Sequence, residues 1–434
     1  KQMSSAHKVL SKIFGHAAFK GQQEGIVRHL IAGQHALVLM PTGGGKSLCY
    51  QIPALVRPGT ALVVSPLIAL MQDQVNALQM CGIAAAYLNS TLSPEAVHYI
   101  TRQLLTEQLK IVYLAPERLL SPQFLAHLDD LYRRQSLSLF AIDEAHCISQ
   151  WGHDFRPEYR QLQLLEQRYP QVPRVALTAT ADAHTREDIV TLLGLSAGRT
   201  FVDSFDRPNI SYALNRRYHW QRQLETFLYR RHAHHCGIIY CRTRRLVEDV
   251  AHWLQEGGWG ALPYHAGMSA ERRESHQARF LNSPDVIMVA TIAFGMGIDK
   301  PDVRFVVHLD CPRSLEGYYQ ETGRAGRDGK PADALMLWHP DQALLMRNQL
   351  WQQELNTERQ AIEERRLMAL INYCETAQCR RQTLLSYFGE DSAGHCGHCD
   401  NCTENYGQWS GGERRFNGVT FAADQFTPRM SRTR

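Results

Sequence analysis

The residue types best suited to phosphate chemistry are an aspartate and a glutamate side by side and a lysine and a serine behind three glycines. Asp143 and Glu144 lie in Ala141-Ile142-Asp143-Glu144-Ala145-His146, at the end of the apolar run Leu139 to Ile142. Upstream, Met40-Pro41-Thr42-Gly43-Gly44-Gly45-Lys46-Ser47 follows a strand-like run and precedes a helical pattern. This is the frame that a phosphate-binding loop requires. Its glycines let successive backbone N–H groups face phosphate oxygens, and the following helix adds its positive N-terminal dipole. Thr42, Gly43, Gly44 and Gly45 are expected to form the cradle, Lys46 to hold the β- and γ-phosphates, and Ser47 to ligate Mg²⁺. Asp143 is expected to hold the same Mg²⁺ through water, and Glu144 to polarise the attacking water. Alone, an Asp-Glu pair is more often a solvated strand end; the phosphate loop changes the reading.

A loop of a different character follows: Ser149-Gln150-Trp151-Gly152-His153-Asp154-Phe155-Arg156-Pro157-Glu158-Tyr159. Trp151 and Phe155 flank His153 and Arg156. Aromatic rings stack on unpaired bases, and an arginine among them meets phosphate or senses the nucleotide site. The competing reading makes both rings core residues, the usual fate of large aromatics. DNA held in this loop would move Asp143, Glu144 and His146 through their own backbone.

With this loop beside the Asp-Glu pair, the chain resembles the RecQ family of DNA helicases. Ser65 to Gln74, Ala176 to Ala181, Ser204 to Ile210, Tyr240 to Arg244, Ala290 to Pro301 and Tyr318 to Gly329 match further motifs of that family, so the likeness runs from about Phe14 to Cys402. The resemblance implies that Gln23, in Phe19-Lys20-Gly21-Gln22-Gln23-Glu24, reads the adenine edge with Lys20 nearby. His16 and Lys20 depart from the family's usual aromatic and arginine, and a plain surface helix is the alternative there. It implies that His146 couples the nucleotide site to the other lobe and that Arg327 acts as an arginine finger, with Arg324 and Gln320 bridging towards the first lobe. Asp299 would accept a bond from the ribose. Ser65 and Gln72 in one lobe, and Arg242, Thr243 and Arg244 in the other, would hold DNA backbone phosphates; each taken alone reads first as a solvated or capping residue, so they rank below the nucleotide site.

Cys379, Cys396, Cys399 and Cys402 give C-x16-C-x2-C-x2-C. Four thiolates at such spacings fit tetrahedral structural Zn²⁺, with no open catalytic position. Cys374, His395 and His398 are minor alternative ligands. Arg365, Arg366, Arg380 and Arg381 read either as DNA contacts or as solvated surface.

The elements that must position these residues follow from hydrophobic patterning. Val-, Ile- and Leu-rich runs alternate with helical patterns from Ala36 to Ala181 and again from Gly237 to Trp338, which implies parallel sheets covered by helices. The fold class is α/β: two tandem RecA-like parallel-sheet lobes followed by a small helical zinc-binding module. The expected domains are 1–205, 206–340 and 341–406, with a flexible tail over 407–434. Gly194 to Asn209 reads as the linker between lobes. The winged helix and helical bundle with which RecQ relatives often continue are not recognisable.

The bulk numbers agree with this class. The chain has 434 residues, 44% of them apolar, and a formal net charge of +4, so any DNA site is a local patch. The 11 cysteines suit reduced thiols plus one metal site rather than a secreted disulfide framework. No apolar run reaches membrane-spanning length and no secretory signal is visible, so an intracellular location without a membrane partner is expected. The chain begins with Lys. Taken with the resemblance, the residues imply a monomeric ATP-dependent DNA helicase using ATP, Mg²⁺ and Zn²⁺. It would translocate 3′ to 5′ on single-stranded DNA and open forked DNA in recombination and repair. A translocase that remodels protein–DNA complexes, and an ATP-switched strand-annealing module, are the alternatives.

Overall fold

The computed structural model describes residues 2–41, 45–152, 154–179, 181–295, 298–392 and 394–403, with the backbone of 415–416 and 419–420. The chain divides into two compact units, Lys1–Ser204 and Phe205–Arg434.

The first unit is built on β1 (Ala36–Leu39), β2 (Thr60–Val64), β3 (Ala85–Leu88), β4 (Ile111–Leu114), β5 (Leu137–Ile142), β6 (Arg174–Thr178) and β7 (Arg199–Val202). They pair in the order β3-β4-β2-β5-β6-β1-β7, every pairing parallel. Sequences such as Ala36-Leu37-Val38-Leu39 and Thr60-Ala61-Leu62-Val63-Val64 are buried at every position. That is why they read as continuous apolar runs, as strands covered on both faces do. Val38, Val63, Ala141 and Val175 share one core with Tyr50 and Met71 from the covering helices. The amphipathic N-terminal segment forms a helix, Gln2–Lys12, that buries Ala6 and Leu10 against Val27, Ile31 and Ile52.

The second unit carries β8 (Ile210–Arg216), β9 (Gly237–Tyr240), β10 (Ala261–Tyr264), β11 (Ile287–Ala290), β12 (Phe305–His308) and β13 (Ala332–Trp338), in the order β10-β11-β9-β12-β13-β8. All of these pairings are parallel as well. Helices Pro340–Trp351, Thr357–Glu375 and Arg380–Tyr387 follow. The last lies against β8, as does the short helix Asp400–Thr403, whose Asp400 accepts from the backbone N–H of Leu214 at 3.0 Å.

Four strands lack the Val-, Ile- and Leu-rich signature of the others. β7 falls inside the stretch that the sequence alone suggests is linker, and it corrects that reading. It is an edge strand that buries only Phe201 and exposes Arg199, Thr200 and Val202, so its pattern is mostly polar. β10 is likewise an edge, where Pro263 is tolerated because one side of the strand needs no ladder donor. β3 is short, and β8 mixes polar with apolar residues.

The expected tail lies outside the described residues, apart from the antiparallel pairing of Arg415–Phe416 with Val419–Thr420. Among the described residues no helix is long and apolar enough to cross a membrane.

Candidate nucleotide, DNA and zinc sites

In the first unit the strand order sets β5, β6 and β1 side by side, and the residues of interest leave their carboxyl ends. Open parallel sheets bind ligands at that edge. Lys46 follows β1, Asp143 follows β5 and Thr178 ends β6. Lys46 Nζ stands 3.3 Å from Asp143 Oδ1, with only 16% and 11% of the two side chains exposed. Burial, opposed by Lys46 and reinforced by Glu144, holds Asp143 above the usual carboxylate range. Ser47 sits at the N-terminal end of helix Leu48–Val56 and makes no side-chain cap there. Thr42, Gly43 and Gly44 lie outside the described residues.

Glu144 adopts a left-handed backbone, φ +50°. For a residue with a Cβ this costs about 1–2 kcal/mol. Its N–H donates to Asp143 Oδ1 at 2.9 Å, and its carbonyl accepts from Cys147 at 3.0 Å. The turn therefore ties the two carboxylates together. His146 is buried, with Nδ1 2.8 Å from Thr178 Oγ1 and 3.4 Å from Glu144 Oε2, linking the carboxylates to the end of β6.

Gln23 is brought to the phosphate loop. Its side-chain amide donates to the Gly45 carbonyl at 3.2 Å and its oxygen accepts from the Lys20 N–H at 2.8 Å. Gly45, at φ +77°, leaves the space that the Gln23 amide fills. Lys20 and His16 are exposed.

Trp151, Phe155 and Arg156 are half-buried, so neither ring is a core residue; His153 lies outside the described residues. The loop is pinned at both ends. The Trp151 N–H donates to Ser149 Oγ at 3.1 Å, and Ser149 donates to Asp188 Oδ2 at 2.7 Å. The Arg156 N–H donates to the Cys147 carbonyl at 2.9 Å, while its guanidinium lies 3.6 Å from Asp154. Gly152 packs against the His146 carbonyl so closely that a Cβ would lie 2.7 Å from it. Tyr159, fully buried, donates its hydroxyl to the Asp143 carbonyl at 2.9 Å. Sequence reasoning gave Tyr159 and Asp188 no role. Tyr159 closes the loop motif two residues past Pro157, which is a usable signal; Asp188 has none.

Ser65 is buried, with Oγ accepting from the Leu67 N–H at 3.4 Å, and Gln72 is half-buried on helix Ile68–Met80. In the second unit Arg242, Thr243 and Arg244 are exposed beyond β9. Thr243 caps helix Arg244–Glu256 by accepting from Leu246 at 3.2 Å, and Arg242 reaches Gln349 at 3.1 Å.

Motif residues of the second unit also converge. Arg327 Nη1 donates to Asp299 Oδ1 at 2.9 Å and to the Ile298 carbonyl at 2.8 Å. Burial and the nearby Arg324 charge lower the Arg327 guanidinium, with Asp299 opposing. Arg324 is buried over Gly295, at φ +139°, with its guanidinium carbon 2.5 Å from where a Cβ would lie. Gln320 is half-buried on helix Leu315–Thr322.

The four cysteines of the spaced cluster have sulfurs all within 4.8 Å of one another. Cys396 to Cys402 is 3.8 Å and Cys399 to Cys379 is 4.0 Å. A tetrahedron with Zn–S bonds of about 2.3 Å has sulfurs about 3.8 Å apart, so the donor set fits Zn²⁺. Backbone N–H groups of Cys396 and Cys399 point at Cys379 Sγ and Cys396 Sγ, at 3.4 and 3.2 Å. Such donors stabilise thiolates. Cys374 is instead buried in helix Thr357–Glu375, and neither His395 nor His398 belongs to the cluster. Arg380 and Arg381 correct both surface readings. Arg380 is fully buried against Asp400 at 2.6 Å, and Arg381 is buried against Asp206 at 2.6 Å. Arg366 is buried 3.6 Å from Glu316, and only Arg365 is exposed.

Two measurements check this geometry. Tyr159→Phe should lower stability by about 0.5–1.5 kcal/mol in urea unfolding, the worth of one hydrogen bond. Metal analysis should find one zinc per chain in the wild type, and Cys399→Ala should lose it.

The chain matches the DEAD/DEAH box helicase family over residues 20–189, the helicase conserved C-terminal domain over 220–329 and the RecQ zinc-binding family over 342–403. It is 47% identical to an ATP-dependent DNA helicase RecQ of Haemophilus influenzae over 92% of this chain and 64% of that protein. It is 41% identical to the protein of that name in Bacillus subtilis, over 92% of this chain and 67% of the relative. The chain thus spans about two thirds of the length of these relatives. Among solved structures, the helicase MrfA bound to DNA and AMPPNP shares the fold at a TM-score of 0.63 and 19% identity, covering 99% of this chain and 62% of that one. Two parallel-sheet units, a zinc-ready cysteine cluster and this likeness in sequence agree: the chain belongs to the RecQ family of helicases.

Proposed function

We propose that the chain is an ATP-dependent DNA helicase in which single-stranded DNA on the Trp151 loop sets the position of the hydrolytic carboxylates. The observation that carries this is the double tether of that loop: Tyr159 holds the Asp143 carbonyl and Gly152 packs on the His146 carbonyl. A base stacked on Trp151 or Phe155 therefore pulls on the same backbone that bears Asp143 and Glu144.

The residues at the edge of the first sheet suit Mg-ATP. Lys46 and the phosphate loop bind the phosphates; Ser47 and Asp143 hold Mg²⁺, which neutralises charge developing on the transferred phosphoryl group. Glu144 orients the attacking water and accepts its proton. Gln23, already bonded to Gly45, reports occupancy of the base pocket to the phosphate loop. Phosphoryl transfer depends on positioning and charge neutralisation, so turnover follows how well these groups are aligned. Arg327 is the proposed arginine finger, released from Asp299 when it meets phosphate, and Arg324 and Gln320 support it. Asp299 then serves the ribose.

Ser65, Gln72, Arg242 and Thr243 are proposed as sequence-independent contacts to the DNA backbone, with Arg156 and His153 beside the stacking rings. Ser65 is buried and gives its N–H to the Leu114 carbonyl at 3.1 Å, so its part is to hold the Leu67 N–H at the start of the helix that carries Gln72. Alternating grip on one strand, with 3′-to-5′ polarity as in the family, converts hydrolysis into movement, in the service of recombination and repair. Domains 1–205, 206–340 and 341–406 are proposed as two motor lobes and a zinc-stabilised module.

The test is steady-state ATP hydrolysis with and without single-stranded DNA, together with strand separation of a fluorescent forked duplex. Wild-type protein should show DNA-stimulated hydrolysis and unwinding, and Glu144→Gln should lose about 10²-fold or more of kcat, the usual worth of a general base. Stimulated hydrolysis without strand separation would make the chain a translocase rather than a helicase. Glu144→Gln with unchanged turnover would remove the assignment.

A further inference from the structure

The turn that carries Arg324 and Arg327 is held from outside itself. Arg207 donates from Nη1 to the Gly323 carbonyl at 2.7 Å and from Nη2 to the carbonyls of Ala325 at 2.8 Å and Gly326 at 3.3 Å. Asn209 donates from Nδ2 to Gly326 at 2.8 Å and to Lys330 at 2.9 Å. Gly326, at φ +59°, has no side chain because the Asn209 amide occupies the place of a Cβ. These carbonyls close a helix end and a turn, where backbone acceptors otherwise lack partners.

Arg207 is in turn held by the cysteine-bearing module. Arg381 donates to the Arg207 carbonyl at 2.7 Å, to the Ile210 carbonyl and to Asp206 at 2.6 Å. The Phe205 N–H donates to Glu390 at 2.7 Å, and the Phe205 ring stacks on Phe388 at 5.2 Å between centroids. Arg381 stands two residues after the zinc ligand Cys379.

We propose that Arg207 is a positioning residue for Arg324 and Arg327: the segment Phe205 to Ile210 is a strut that the zinc module holds on one side and that sets the arginine-bearing turn on the other. This rests on the proposed roles of those arginines. A guanidinium satisfies three carbonyls spread over a turn because its donors form a planar fork, which lysine lacks. Without it the turn loses three donated bonds, with only the Gly326 carbonyl keeping its Asn209 donor, and the arginines lose their fixed origin.

The experiment uses the full zinc-loaded chain. Arg207→Gln should keep one zinc and cooperative unfolding, keep the ATP KM within about twofold, and lower DNA-stimulated kcat about 10–10²-fold, the cost of a small misplacement. Hydrogen exchange in the segment 318–330 should quicken, a readout independent of turnover. In an Arg327→Ala background Arg207→Gln should cost little more, because both act through one group. If Arg207→Gln unfolds, Asn209→Ala, which removes two of the bonds, takes its place with the same expectations. Unchanged exchange in 318–330, or a full additive loss in the Arg327→Ala background, overturns the strut. Wild-type turnover in Arg327→Ala overturns the arginine-finger reading instead, and exchange then still decides whether Arg207 holds the turn.

Discussion

A lysine and an aspartate, both largely removed from water, face each other 3.3 Å apart where β1 and β5 end. Removing one member of such a pair leaves a buried charge uncompensated, a loss of about 3–5 kcal/mol where the other cannot neutralise. The parallel sheet is what makes the arrangement affordable. Its strand order brings β5, β6 and β1 together, so that residues far apart in sequence share one edge. Around the pair, the strained Glu144 turn, the His146 contact to Thr178 and the Tyr159 hydroxyl leave the carboxylates little freedom of their own. The loop from Ser149 to Tyr159 is bonded to their own backbone through the Tyr159 hydroxyl on the Asp143 carbonyl.

The second unit solves a related problem with different chemistry. Its arginines need acceptors, charged or neutral, since a buried guanidinium is costly unless paired and hydrogen-bonded. Asp299 and the Ile298 carbonyl receive Arg327, and Arg207 fixes the carbonyls of the turn itself. Behind Arg207, the fully buried Arg380–Asp400 pair and Arg381 join the cysteine module to β8 and to the segment that precedes it. A structural metal at the four cysteines thereby stiffens more than its own small module.

Local sequence carried the site well where backbone geometry demands particular residues. Gly45 beside Lys46, the Asp143-Glu144 pair at a strand end, and the short cysteine spacings each reflect a constraint within a few residues. The central strands were legible for the same reason, being apolar on both faces. Partnerships between distant residues were not legible. Nothing near Arg207 announces Gly323, and nothing near Arg381 announces Asp206, so Arg366, Arg380 and Arg381 read as surface in sequence although the fold buries them. Edge strand β7 reads as linker because only Phe201 of it needs burial.

The most direct measurement is single-stranded DNA affinity and DNA-stimulated ATP hydrolysis made side by side on Trp151→Ala. If the loop transmits DNA binding to Asp143 and Glu144, affinity should fall by no more than one stacked base, about 1–3 kcal/mol, while stimulation is lost even at saturating DNA. Stimulation that survives the substitution, or that falls only in step with affinity, would contradict the coupling.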